Sequence, residues 1–298
     1  MPNTYLDSYA AIGNREDLIN VVTMISPEDT VFKSRVGGTS ASNRTHEWQT
    51  QALAASNSGN AKVEGSATPF ASGDVTVRAR LSNVTQIFEK PWSVSYTQQA
   101  INVAGVTNEY AEQRRLKTIE IMKDMNSALI NQSSATGASN VARTMHGALA
   151  AITTNVRVAA TNETLNQPLY NRLMQDIWIQ GGNPNATYAH GYNKRQISSW
   201  TTPVVRNIDA SGRKIVNAVD VYDSDFGKQM ILLEREMPTT QLMVLQEDMW
   251  KVAYLRPLDY REISENGGSQ RGRIEVEATI EYRAENSNGK LTGLSVEA

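Results

Sequence analysis

The chain has no cysteine. Disulfides are therefore excluded, and so are thiol nucleophiles and thiolate metal sites. Histidine is nearly as scarce: His46, His146 and His190 are the whole set, no two stand at metal-ligand spacing, and no HExxH occurs. No apolar run approaches a membrane span. The opening MPNTYLDSYAAIGNRED lacks the apolar core of a secretory signal, so triplets such as Asn43-Arg44-Thr45 and Asn83-Val84-Thr85 fall to chance. Charge of one sign is missing as well: 29 basic and 31 acidic residues leave a net charge of −2. That argues against nonspecific binding of DNA or membranes through overall charge, while a local basic face remains open. What is left is a chain of 298 residues, 40% hydrophobic and 20% charged, long enough for one large domain or two ordinary ones with a real core.

One stretch cannot fold by itself. From Ala54 to Asp74 only Val63 and Phe70 are large and apolar. A strand pattern follows, with Val75, Val77, Ala79 and Leu81 on one side and Thr76, Arg78, Arg80 and Ser82 on the other. An isolated two-stranded ribbon is marginal in water. Ordering its backbone costs about 1–2 kcal/mol per residue, more than so little apolar surface offsets. Either the arm is disordered or something outside the domain supplies the missing surface.

The remaining pattern reads as α+β. Asn14 caps a short helical stripe of Leu18, Val21, Val22 and Ile25, which Ser26-Pro27 ends. Val31, Phe32 and Val36 suggest a brief strand broken by Gly37-Gly38. Asn83 to Ala100 is rich in β-formers, with Pro91 marking a kink or an edge. The clearest helix runs from Thr107, its cap, to Ile130; Leu116, Ile119, Met122, Met125 and Leu129 share one face, and Lys117, Glu120, Lys123 and Asp124 the other. Asn131 to Asn140 reads as a linker. Helices are expected over Met145–Ile152, over Leu165–Gln180, stopped by Gly181-Gly182, and over Lys194–Trp200. A turn at Asp209–Gly212 precedes strands at Ile215–Tyr222, Lys228–Leu233, Leu242–Leu245 and Val252–Leu255. In the last strand Ile274, Val276, Ala278, Ile280 and Tyr282 alternate with Glu275, Glu277, Thr279 and Glu281, and Asn288-Gly289 predicts a hairpin returning Lys290–Val296 antiparallel.

Candidate chemistry is thin. His46-Glu47-Trp48 places a base beside an acid, though a packed or interfacial role fits better. Gly267-Gly268-Ser269-Gln270-Arg271-Gly272 fails the nucleophile-elbow spacing because Arg271 stands where glycine is required. Gly227-Lys228 lacks the rest of a phosphate loop. Asp220, Asp223 and Asp225 lack the order of a calcium loop and read as a solvated turn. Arg114, Arg115 and Lys117 form a basic cluster that suits either nucleic acid or a solvated, inter-subunit face. Arg78 and Arg80 suit a bidentate carboxylate on a neighbouring chain. The five tryptophans, Trp48, Trp92, Trp178, Trp200 and Trp250, read as core or interface anchors.

The order of parts (short helix, Gly-Gly break, polar hairpin arm, long amphipathic helix, α+β insert, terminal strands) resembles the major capsid proteins of tailed bacteriophages with the HK97-type fold. So do the strings Met24-Ile25-Ser26-Pro27-Glu28-Asp29-Thr30, His46-Glu47-Trp48-Gln49-Thr50, Ser82-Asn83-Val84-Thr85-Gln86-Ile87-Phe88, Asp223-Ser224-Asp225-Phe226-Gly227 and Glu277-Ala278-Thr279-Ile280-Glu281-Tyr282. Val31 departs from an expected proline, and Tyr96 from an expected glycine.

The resemblance implies an N-terminal arm at 1–30 and an extended loop at 43–92 lying over an adjacent subunit. It implies a peripheral domain of 31–42, 93–145 and 246–298, and an axial domain at 146–245. The function implied is self-assembly as pentamers and hexamers into an icosahedral head, the virion shell, around double-stranded DNA bound without sequence specificity. Assembly is expected in the host cytoplasm, without catalysis, metal, cofactor or membrane. Separate scaffolding, portal and cement proteins are expected partners, scaffolding because no such domain precedes residue 1. Inter-subunit contact candidates are Trp48, Lys62, Phe70, Arg78, Arg80, Arg114 and Arg115. In some relatives a loop lysine joins a neighbour's asparagine, and Lys62 is the loop's candidate. An encapsulin-like compartment, a soluble hydrolase and a tail or decoration protein are the alternatives.

Overall fold

The computed structural model describes residues 29–68, 75–101, 103–200, 220–265 and 267–296. The expected helix at Leu18–Ile25, the turn at Asp209–Gly212 and Phe70 lie outside them.

Two sheets carry the fold. The first has strand order β1 (Gly37–Ser40), β10 (Trp250–Ile263), β11 (Ser269–Tyr282) and β4 (Gln86–Ser95). Pro91 sits in β4, an edge strand, where a missing N–H costs no ladder bond. The second has order β5 (Val156–Val158), β12 (Gly289–Thr292), β9 (Leu242–Leu245), β6 (Ala186–Ala189), β8 (Gly227–Leu233) and β7 (Val221–Ser224). A separate two-stranded hairpin joins β2 (Thr45–Thr50) to β3 (Ala79–Val84).

Short helices α1 (Val31–Arg35) and α2 (Tyr96–Ala100) flank this hairpin region. The long helix α3 spans Glu109–Asn131, about 35 Å at 1.5 Å per residue. Its cap is Asn108 rather than Thr107: the Asn108 side chain accepts from the Ala111 N–H at 3.0 Å, and Glu109 and Glu112 occupy the first turn, where the helix dipole favours them. Of the expected face, Met125 and Leu129 are buried, whereas Leu116, Ile119 and Met122 are half-buried; Ile121 is buried in their place. The buried residues of α3 all lie in its second half, beside Phe32, Phe88, Trp250, Val276 and Ile280, while Tyr110 in its first turn packs at the edge of the same core.

Helix α4 (Ala148–Ala151) packs into the first core beside α3, whereas α5 (Gln167–Ile179) and α6 (Gly191–Ser199) belong to the second unit. Leu165, Tyr170, Leu173 and Ile177 pack there against Ile231, Leu242, Val244 and Leu291. Gly147 admits the turn before α4, because an added Cβ would meet the Gln132 backbone nitrogen at 2.8 Å and the Ala128 carbonyl at 2.9 Å.

Four expectations need correction. Residues 31–35 are helical, and the strand begins at Gly37. The Phe32 N–H is held by the buried Glu234 carboxylate at 2.9 Å, a partner far along the chain. The 131–140 segment is no simple linker: Ala135 pairs with Thr144 and Ala138 with Val141 through reciprocal backbone bonds of 3.0–3.1 Å. The β3 strand begins at Ala79, leaving Val75 and Val77 exposed. The Asn288-Gly289 hairpin does not form. The Asn288 side chain is buried, accepting from Trp250 Nε1 at 2.8 Å and the Gln246 N–H at 2.9 Å, and β12 crosses into the second sheet between β5 and β9.

Candidate inter-subunit surfaces

The root of the hairpin is clamped onto β11. Trp48 Nε1 donates to the Tyr282 carbonyl at 2.8 Å, and the two rings meet edge-on at 5.0 Å. His46 takes the packed role that fitted it better than an acid–base pair with Glu47, lying 3.0 Å from Glu281. Asn83 donates to the carbonyls of Ile280, at 2.8 Å, and His146, at 3.1 Å, and accepts from the His146 N–H at 2.9 Å. Thr85 Oγ1 donates to Glu277 at 2.7 Å.

These contacts use the face of β11 that alternation would send to solvent. Glu275, Glu277, Thr279 and Glu281 are all buried. Each carboxylate is matched to cations. Glu277 takes Arg143 and, at 2.9 Å, Arg256; Glu275 takes Arg256 at 2.7 Å; Glu281 takes Arg283 at 2.6 Å. Burial alone would push the Glu277 carboxyl up. Hydrogen bonds from Thr85, Arg256 and Arg143 outweigh it and hold the group below the usual carboxylate range. The same balance, with Arg283 and His46 as partners, depresses Glu281. Burial pushes the His146 imidazole below its ordinary value, opposed by a backbone hydrogen bond at Ala150 and reinforced by Lys290.

Beyond Thr50 this support ends. Every residue from 51 to 68 is exposed, as are Val75 and Val77, and Leu53 is 94% accessible. Lys62 lies on this exposed arm, beside a turn in which the Ser66 N–H bonds the Val63 carbonyl at 3.1 Å, with Gly65 at φ +75°. Arg78 reaches Gln49 at 3.4 Å, and Arg80 lies 3.4 Å from Glu47 of its own chain. Trp48 is spent inside its own subunit. At the start of α3, Arg115 pairs with Glu112 at 2.7 Å, and the Arg114 guanidinium lies 5.3 Å from the centre of the Tyr260 ring. Tyr260 in turn stacks on Trp92 at 5.6 Å. The candidates thus fall into two places, the hairpin with its arm and the head of α3.

A third surface is missing from the sequence-based set. Trp178 and Ile179, at the end of α5, are 62% and 64% exposed. A signal was present: Leu169, Leu173 and Ile177 define the buried stripe, and Trp178 falls off it.

The chemical candidates dissolve into structure. Gly267 and Gly268, at φ +67° and +71°, lie between β10 and β11. Asp220 pairs with Lys194 at 2.9 Å. Among the described residues, no group of three or more His, Asp or Glu is placed to hold a metal, and no helix is long and apolar enough to cross a membrane.

Comparison with known proteins agrees with this architecture. The SU10 major capsid protein family matches residues 4–295. The major capsid protein of Escherichia phage Phieco32 is 24% identical, over 97% of this chain and 96% of the relative. The fold is similar to the cyanophage A-1(L) capsid asymmetric unit, with TM-score 0.71, 10% identity and coverage of 97% of this chain and 98% of that one. It is also similar to the SrpI encapsulin of Synechococcus elongatus PCC 7942, with TM-score 0.64, 11% identity and coverage of 99% and 98%. The α+β architecture is the HK97-like capsid fold. With nearly its whole length matched, the chain belongs to the SU10 major capsid protein family and is a phage major capsid protein.

Proposed function

We propose that the subunit assembles as pentamers and hexamers into an icosahedral head that encloses double-stranded DNA, with no catalytic role. The observation that carries this reading is the arm: a clamped root followed by an unbroken exposed run, residues 51–68. Its missing support comes from a neighbouring copy, and many weak contacts add up in a closed lattice. On this reading the four-stranded sheet with α3 forms the peripheral domain, and the six-stranded sheet forms the axial domain. Residues 289–292 then pass to the axial side. Lys62, Arg78, Arg80, Arg114 and Arg115 are contact candidates, Lys62 as a solvated tip residue or a crosslinking one. Trp178 and Ile179 join them on the axial unit.

Scaffolding, portal and cement proteins are separate partners, and the shell forms in the host cytoplasm before becoming the virion. Electron microscopy of the purified protein tests the reading. Uniform closed shells with nuclease-protected DNA in phage particles support it; a monomer in every condition refutes it. An encapsulin-like compartment shares this fold. It is recognised by a packaged cargo protein with a docking tail in place of DNA.

A further inference from the structure

Beside the hairpin root lies a cleft of about 540 Å³, walled by Arg44, Ile87, Val141, Arg143 and the 136–139 turn. It carries cationic groups and no acidic one. Arg143 is occupied, by Glu277 and the Thr85 carbonyl. The Arg44 guanidinium is exposed and has no hydrogen-bond or ion-pair partner among the described residues. Around it Ile87, 46% accessible, and Val141, 61% accessible, offer apolar surface beside the polar Thr136 and Ser139. A carboxylate next to a small apolar side chain would match Arg44 together with Ile87 and Val141.

The arm carries that pair. Lys62 and Glu64 are its only charges between residues 51 and 68, and Glu64 follows Val63, which is 79% exposed. Both belong to the preformed Val63–Ser66 turn, so little ordering remains for the tip itself. Fully extended, the residues from 51 to 63 reach about 40 Å beyond β2, enough to leave the subunit.

We propose that the cleft beside Arg44 receives the arm tip of a neighbouring copy, with the Glu64 carboxylate on Arg44 and Val63 against Ile87 and Val141. This rests on the reading that arms lie on adjacent subunits. It adds which surface receives them. The cleft stands at the root of the receiving subunit's own arm, so each copy gives one tip and takes another. Such a head-to-tail contact closes into a ring when the rotation allows. A phosphate backbone would satisfy Arg44 but would leave Ile87 and Val141 wet.

The absence of cysteine gives a clean background for the test. Shells of the Glu64→Cys, Ala138→Cys double variant are oxidised and run on a non-reducing denaturing gel. A ladder of linked oligomers is expected, with both single variants remaining monomeric; monomer alone from the pair overturns the proposal. If the pair fails to assemble, a Val63→Cys variant bearing a benzophenone is co-assembled from heavy- and light-isotope subunits and irradiated. Mixed-isotope peptides containing residues 136–143 or 87 support the cleft. Mixed-isotope peptides elsewhere leave the arm on a neighbour and overturn the cleft. No mixed peptides at all overturn the neighbour-borne arm itself. Arg44→Glu, which sets two carboxylates together, is expected to raise the subunit concentration needed for assembly by roughly tenfold or more. Glu64→Arg in the same chain restores it.

Discussion

The hairpin root and the arm beyond it are one continuous excursion of chain, yet they are held by opposite means. At the root, Trp48, His46, Asn83 and Thr85 all find partners on β11 or its neighbours, and the ribbon gains the third surface that two strands need. Past Thr50 the arm contacts almost nothing, and its few apolar side chains stand in water. On the proposed reading, subunit stability and assembly are separated along a single segment. Residues 45–50 and 79–84 fix where the arm leaves, and residues 51–68 are free to belong to another molecule.

Deleting residues 54–68 should give the largest effect. Shells are expected to disappear from electron micrographs, while the urea midpoint of the unassembled subunit moves little, corresponding to less than about 0.5 kcal/mol. A large loss of subunit stability would break the separation. Trp48→Ala acts at the other end. It removes the ring packed on Tyr282 and the bond to its carbonyl, and should cost the subunit about 3 kcal/mol in the same urea experiment.

Acid comes next. Glu277, Glu281 and His146 all have depressed values in the fold, so the unfolded chain binds protons more readily and stability falls as pH falls. The His146 contribution begins to drain below about pH 6.5 and the carboxylates' below about pH 4.5, each continuing down through its folded value. Urea midpoints taken from pH 7 to 4 should decline in that order, and Glu281→Gln should flatten the lower part of the decline. The smallest effect is expected at Arg80→Ala. Its pair with Glu47 is open to solvent, 71% and 45% exposed, and the subunit should lose no more than about 0.5 kcal/mol. A clear loss of assembly with unchanged stability would assign Arg80 to the contact between copies.

Much of this was legible in the chain. The polar arm, the long helix, the edge proline and the helix stopped at Gly181-Gly182 all follow from local rules, because their causes are local. The failures share a different origin. Alternation in β11 correctly separates two faces, but it cannot say that the glutamate face meets arginines from residues 143, 256 and 283 rather than water. Asn288-Gly289 has the composition of a turn, yet Trp250 and Gln246 claim the Asn288 side chain. Val31-Phe32 looks β-like until a carboxylate at residue 234 caps the segment as a helix. Trp48, expected at a contact between copies, anchors its own subunit instead, because Tyr282 supplies the ring and carbonyl that take it. The cleft beside Arg44 was not legible, since three separated segments build it.

The partners that lock the hairpin root lie late in the chain, between Glu277 and Tyr282, some 235 residues after His46. A ribosome must pass that whole interval before they emerge. Until then the growing polypeptide has no fixed direction in which to hold out its arm, so neighbouring nascent chains on one message have little to grasp. On the proposed reading, synthesis of β11 thus acts as a built-in timer, and polymerisation waits for molecules that carry it.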